Sequence, residues 1–174
     1  LVNKAHMAKA DMLVLPEMCI PGYLIGDMLE QQSFVDDCQF YNEQLIKASK
    51  EMLICFGSIA EEKEHINEDG RPRLYYAAFI CQNGGTVGGY AGRNFVIKNN
   101  LPNYREFEDS RHFFSLEKLS LEEKTTLEEL VQPIEVNIRG HKLALGVLIC
   151  EDSWSANYRY DLPQLLSDKG AQLL

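Results

Sequence analysis

Leu143-Ala144-Leu145-Gly146-Val147-Leu148-Ile149-Cys150-Glu151-Asp152-Ser153-Trp154 is an apolar run of strand length that ends on a thiol and two carboxylates. A continuous apolar run this short suits a buried strand rather than an amphipathic helix. Two other stretches share the plan: Leu13-Val14-Leu15-Pro16 delivers Glu17, and Phe95-Val96-Ile97 delivers Lys98. Ligands of α/β sheets collect at the carboxyl ends of strands. If these three strands are neighbours in one sheet, Glu17, Lys98 and Cys150 converge despite their separation along the chain.

Working outward, residues 134–138 and 142–149 flank Arg139-Gly140 and read as a hairpin, and residues 74–81 and 87–97 flank Asn83-Gly84-Gly85 as a second one. Asn-Gly tolerates the positive φ that a tight reversal requires. Residues 2–10 read as the end of a helix, residues 12–15 as a short strand, and residues 52–59 as another. Ser33 is the expected cap of a helix over residues 34–49, whose inward face the three-and-four spacing assigns to Phe34, Cys38, Tyr41, Leu45 and Ala48. Residues 61–73, with Asp69-Gly70 and Pro72, read as a polar loop. Residues 98–132 are too long for a simple connection and rich in charge and aromatics, which marks them as function-bearing. A helix is expected over residues 158–167, with Pro163 inside it, and residues 170–174 start a further apolar run. Strands alternating with helices and hairpins make the class α/β with a mixed sheet. Both ends cut through this pattern, so the chain reads as an excerpt of a larger domain.

Composition narrows the function. Of 174 residues, 45% are hydrophobic and 25% charged, which is ordinary globular usage. No apolar run approaches the ~20 residues of a membrane helix. The net charge of −9, without a basic stripe, argues against nucleic acid as a partner. Five cysteines, an odd count without a Cys-x-x-Cys pair, fit reduced thiols in the cytoplasm better than disulfides. His6, His65, His112 and His141 stand apart, so no metal is expected.

The three strand-end residues form a coherent chemical set. A thiol needs a base to become a thiolate, and Glu17 offers one. Attack on an amide carbonyl builds negative charge on oxygen, which Lys98 and the backbone N–H of Glu151 are suited to stabilise. Residue type alone does not separate these positions from a small core cysteine, a surface glutamate and an edge lysine. Their neighbourhoods do.

Leu13-Val14-Leu15-Pro16-Glu17 followed by Pro21-Gly22-Tyr23 resembles the first-glutamate motif of the nitrilase superfamily of carbon-nitrogen hydrolases, and residues 145–154 resemble its nucleophile motif. Lys98, followed by Leu101-Pro102-Asn103-Tyr104, Phe107, Arg111 and Phe113, resembles the lysine block of one branch, the glutamine-hydrolysing domain of glutamine-dependent NAD synthetases. Gly22-Tyr23 before Asp27-Met28-Leu29 points to the same branch, and Tyr75-Tyr76-Ala77-Ala78 with Gly88-Gly89-Tyr90 fits the hairpin before the lysine.

The resemblance implies an α-β-β-α sandwich, here truncated at both ends, with residues 1–174 forming a partial amidase domain and no synthetase domain in this chain. It implies Cys150 as nucleophile, Glu17 as base and acid, and Lys98 as oxyanion stabiliser, with Tyr23, Tyr104, Phe107, Glu151 and Trp154 at the substrate. The family's supporting glutamate follows an aspartate, whereas this chain has Glu108-Asp109, so either residue is a candidate for that role. The amide step needs no cofactor; ATP and Mg belong to a synthetase domain. The expected partners are a small amide, glutamine first, a synthetase domain and further copies of the chain. A free-standing amidase or carbamoylase and an inactive interaction module are the alternatives. Uncovered strand edges predict that the isolated 174-residue piece self-associates.

Overall fold

The computed structural model describes residues 1–50 and 52–174. Helix α1 (Val2–Met7) leads into strand β1 (Met12–Val14), and helix α2 (Gln32–Ala48) into strand β2 (Leu53–Ile66). Strands β3 (Pro72–Gln82), β4 (Gly85–Gly88) and β5 (Val96–Ile97) follow. Three short helices come next, α3 (Asp109–His112), α4 (Leu116–Glu122) and α5 (Leu127–Leu130). The chain closes with strands β6 (Ile134–Ile138) and β7 (His141–Leu145), and helix α6 (Leu162–Asp168).

Two sheets result. The larger has the order β1-β2-β3-β4, with β5 also pairing β3, and the smaller is the β6-β7 hairpin. β1 runs parallel to β2, whereas β2 and β3 form a long antiparallel hairpin in which Phe56 lies opposite Phe79. Those two rings stack at 5.1 Å between centroids, the kind of cross-strand pair that holds a register. Buried side chains of β2, β3 and β5 make up the centre of the core, joined by Leu116, Leu119, Leu127 and Leu166 from the helices. The mixed α/β class read from the sequence is the class observed.

Several boundaries differ from the expectation, each for a local reason. α2 begins at Gln32 rather than at Phe34, and no side chain caps it, so Ser33 is inside the helix. Its buried residues are Val35, Cys38 and Asn42, while Tyr41 is exposed and T-stacks on Phe40 at 5.3 Å. The helix is rotated because Asn42 Nδ2 and Gln39 Nε2 both donate to the carbonyl of Ile59, at 3.0 and 3.2 Å, docking polar side chains on β2.

The polar stretch 61–73 is mostly strand: β2 and β3 continue in register to Glu62 opposite Arg73, and Ile66 pairs Pro72 beyond a bulge. Lys63 and His65 project into solvent, while Glu62 and Arg73 are largely covered and paired with Arg93 and Glu122, so polarity there signals an ion-paired strand face rather than a loop. After the Asn83-Gly84 turn, where both residues have positive φ, β4 stops at Gly88. The strand resumes only at Val96, because Tyr90–Phe95 fold into a turn closed by Tyr90 N–H to Phe95 O at 3.0 Å. α1 is shorter than the 2–10 reading, ended by Lys9 in the left-handed region.

α6 starts at Leu162 rather than at Tyr158, capped by Asp161, whose carboxylate accepts the Gln164 N–H at 3.0 Å. Pro163 thus occupies the first turn, where its missing N–H costs nothing. β7 ends at Leu145 instead of Ile149, and residues 146–149 lie outside any strand. The final apolar run lies parallel beside β7: Leu145 bridges Leu173, and Gly146 N–H donates to Leu173 O at 2.8 Å. No helix among the described residues is long and apolar enough to cross a membrane.

Candidate active site

β1 brings Glu17 alongside β2. The parallel pairing runs past the strand proper, with Leu15 N–H to Cys55 O at 2.8 Å, Gly57 N–H to Pro16 O at 3.2 Å and Cys19 N–H to Gly57 O at 3.0 Å. A Cβ at Gly57 would sit 2.4 Å from Glu17 Cα and 2.6 Å from Met18 N, so only glycine lets the backbone of Glu17 lie this close.

β5 brings Lys98 to the same sheet. Its N–H donates to Tyr76 O at 2.9 Å, one step beyond the Ala77–Ile97 pair. The side chain is only 1% exposed; Nζ stands 3.0 Å from Asp109 Oδ2 and 3.9 Å from the centre of the Tyr76 ring. A buried ammonium needs such a partner, since desolvation otherwise outweighs its other interactions. Between the two candidate supporters, Asp109 meets Lys98, whereas Glu108 is exposed and faces Arg111 at 3.5 Å. Asp109 is the first residue of α3, so the docking of that helix decides which carboxylate points inward.

Tyr76 links the pair of strands. Its hydroxyl donates to Glu17 Oε2 at 3.0 Å, and its ring packs on Phe113 at 5.1 Å. Burial, with the Glu17 charge beside it, pushes the phenol far above its ordinary range, so it stays a donor. Successive strand residues face opposite ways; Tyr75 therefore points to Phe95 and Phe114 on the other face. Nothing in the run Tyr75-Tyr76 distinguished the two in advance.

Cys150 arrives from the smaller sheet. It opens a 3-10 turn over Cys150–Ser153 with φ of 50°, a left-handed conformation rare outside glycine. Non-glycine residues held there cost about 1–3 kcal/mol and cluster at functional sites. Asp152 N–H to Ile149 O at 3.1 Å, Ser153 Oγ to Cys150 O at 2.7 Å and Trp154 N–H to Glu151 O at 3.0 Å hold the turn. The thiol is exposed and lines one cleft with Glu17, close enough for the Glu17 and Lys98 charges to act on it. Burial and the Glu17 charge push its pKa up; Lys98 and the Glu151 N–H pull the other way. Glu17, Lys98 and Cys150 are thus together, through two sheets rather than the one expected.

The aromatic expectations divide. Phe107 lies between Tyr23 and Tyr104, edge to face at 6.2 and 5.4 Å. Burial and the nearby Glu17 and Cys150 push the Tyr23 phenol up to about 12. Glu151 is buried, and its two carboxylate oxygens accept from Tyr104 and from Tyr158, a residue the sequence had not singled out. Trp154 is 53% exposed, and among the described residues no ring packs on it. Glu17 and Cys150 line an apolar cleft of about 560 Å³ together with residues 145–149, Leu173 and Leu174. Tyr23, Tyr76 and Asp109 line a smaller hollow of about 100 Å³ beside them.

A buried polar cluster beneath the thiol was also missed. Asp152 accepts the backbone N–H groups of Asn99 and Asn100, and burial pushes its carboxyl up to about 7 against those bonds. The run Lys98-Asn99-Asn100 straight after an apolar strand is the signal that was available. Near the hollow, Asp27 and Glu30 approach His112 closely enough to suggest metal ligands. Both carboxylates are engaged by guanidinium groups: Arg111 contacts Asp27 at 3.0 Å and Glu30 at 2.9 Å, and Arg71 contacts Glu30 at 3.3 Å. The donor set serves these ion pairs.

The carbon-nitrogen hydrolase family matches residues 1–174. The chain is 31% identical over 163 residues to a glutamine-dependent NAD(+) synthetase of Acinetobacter baylyi, covering 94% of this chain and 25% of that protein. An Aquifex aeolicus protein of the same name is 26% identical over 151 residues, 86% of this chain and 21% of its own length. Among solved structures, the glutamine-dependent NAD+ synthetase of Acinetobacter baumannii in complex with ADP superposes with a TM-score of 0.63 at 29% identity, over 94% of this chain and 26% of that one. The chain therefore spans about a quarter of the length of these relatives. With the family matched from end to end and the fold shared, this chain belongs to the carbon-nitrogen hydrolase family.

Proposed function

We propose that this chain hydrolyses a carboxamide through Cys150, that the amide is the side chain of glutamine, and that the ammonia serves a synthetase domain that amidates nicotinic acid adenine dinucleotide. The observation that carries the reading is Cys150 and Glu17 lining one cleft, with Lys98 joined to that carboxylate through Tyr76. Glutamine is favoured because the similar proteins are named glutamine-dependent NAD(+) synthetases.

In this reading Cys150 Sγ attacks the amide carbon as its proton passes to Glu17. Because the thiol is pushed above its ordinary range, a base in contact is needed at that moment rather than a standing thiolate. The carbonyl oxygen takes up negative charge beside the Lys98 ammonium and the Glu151 N–H. Collapse breaks the C–N bond, and Glu17 returns its proton to the leaving nitrogen, which departs as ammonia. Water then attacks the thioester with Glu17 again as base, releasing glutamate and the thiol. Asp109 holds Lys98 in place. Tyr23, Tyr104, Phe107, Glu151 and Trp154 are assigned to the substrate side. These groups supply the whole amide step, so no cofactor enters it; ATP and Mg would serve a synthetase domain. Five free cysteines suit the reducing cytoplasm.

Self-association belongs to the same reading. Val14 is 63% exposed on β1, and Leu173 and Leu174 are exposed along the apolar cleft, the kind of open edge that copies or neighbouring segments cover. Sedimentation of the 174-residue chain at micromolar concentration is expected to show assemblies; a single monomeric species would remove this element.

The function is tested with the natural gene product on glutamine and on a panel of other small amides and ureido compounds. Ammonia release at least about tenfold more efficient from glutamine is expected, since a site built around one polar substrate rejects analogues strongly. Turnover of another amide in preference would make the protein a different amidase. Inertness towards all of them would sink the hydrolase reading.

A further inference from the structure

Asp152 lies two residues beyond Cys150, 3% exposed and directed away from solvent. A carboxylate so deep needs hydrogen bonds to offset its lost hydration. Its oxygens accept the N–H of Asn99 at 3.1 and 3.3 Å and the N–H of Asn100 at 2.7 Å. Those are the first two residues after Lys98. A return bond runs from Asn100 Nδ2 to Glu151 O at 2.9 Å. Asn99 is itself pinned, giving Nδ2 to Asn100 Oδ1 and taking the Glu117 N–H on Oδ1, both at 2.9 Å.

The position of this cluster matters because of the topology. Lys98 follows a two-residue strand of the larger sheet, whereas Cys150 lies beyond a strand of the separate β6-β7 sheet. Among the described residues no strand ladder connects the two, and apolar packing between sheets is not directional. Directional bonds are what can set the distance between the ammonium and the thiol to a fraction of an ångström. We propose that Asp152 is a positioning residue: its buried carboxylate ties the segment after Lys98 to the turn of Cys150, so that oxyanion donor and nucleophile meet one carbonyl. The proposal rests on the hydrolase reading for its chemistry but not on glutamine as substrate.

The experiment uses Asp152→Asn in the natural gene product. The amide has the size of the carboxylate but loses its charge and puts an N–H₂ donor where Oδ2 meets the Asn99 N–H at 3.3 Å, which weakens the tie. Two reagents separate position from reactivity. Acylation of Cys150 by nitrophenyl acetate needs both the thiol and an oxyanion donor; alkylation by iodoacetamide, read on the Cys150 peptide by mass spectrometry, needs the thiol alone. Acylation is expected to fall about tenfold to a hundredfold, the usual consequence of a misplacement near 1 Å, with alkylation within about twofold. Buried Cys38, Cys55 and Cys81 stay unreactive if the fold is intact. With glutamine, the loss falls on kcat rather than KM. Asn100→Ala removes the return bond and is expected to act in the same sense, with the double variant losing less than the product of the two; it also serves if Asp152→Asn does not fold. Unchanged acylation, an equal fall in acylation and alkylation, or effects that multiply would overturn the proposal. Absence of ammonia from glutamine in the wild type, with these ratios as expected, would sink the glutaminase reading and leave this one standing.

Discussion

Cys150→Ala is expected to abolish ammonia release from glutamine, lowering turnover by at least about 10⁴-fold, while the protein melts within a few degrees of wild type. The size follows from the role: removing the atom that forms the covalent intermediate leaves only binding and oxyanion stabilisation, and nucleophile deletions elsewhere cost on the order of 10⁶. The neutrality towards folding follows from the site. Cys150 is exposed, so loss of the thiol opens no core cavity. Alanine keeps the same left-handed backbone strain at φ of 50°. Ammonia release and thermal melting on the same preparation check both halves. Residual release within tenfold of wild type would assign the attack to another group, and a collapse in melting temperature would show that Cys150 is a structural residue.

Lys98→Met separates catalysis from stability in the opposite way, with both expected to fall. Loss of one oxyanion donor costs about 10²–10³ in kcat. Breaking a buried ion pair on one side costs about 3–5 kcal/mol, because the remaining charge is left unpaired. The lower end applies here, since the Asp109 side chain is 16% exposed and water can reach it. Lys98→Met with Asp109→Asn removes both charges and is expected to recover most of the stability and none of the activity. Urea denaturation and steady-state kinetics read the two quantities independently. Activity retained in Lys98→Met would take the lysine out of the chemistry, and a double variant as unstable as the single one would show that Asp109 is not its partner.

The legible part of this protein is what neighbours in sequence decide. Apolar runs announced the strands before Glu17 and Lys98, the run before Cys150 overshot its strand, which ends at Leu145, and Asn83-Gly84 and Arg139-Gly140 announced two hairpins, because turn residues and side-chain alternation act over a few positions. The nitrilase-type resemblance added the order of the motifs, and the family match covers the chain. Misreadings fell where polarity was taken for loop, as in residues 61–73, or where a helix face was set by apolar spacing alone, as in α2. There Asn42 and Gln39 found a backbone acceptor on β2 that no helical spacing reveals.

Thus the sequence alone determined the class, the hairpins and the three residues at the ends of their apolar runs, since each depends on local pattern. Only the tertiary structure decided that Asp109 rather than Glu108 meets Lys98, that Tyr76 rather than Tyr75 touches Glu17, and that Asp152 reaches the backbone of Asn99 and Asn100 from the turn of Cys150. Adjacent residues on a helix point about 100° apart and adjacent residues on a strand point to opposite faces. Which of two neighbours faces inward is therefore set by how the whole element docks, through contacts that lie far apart along the chain.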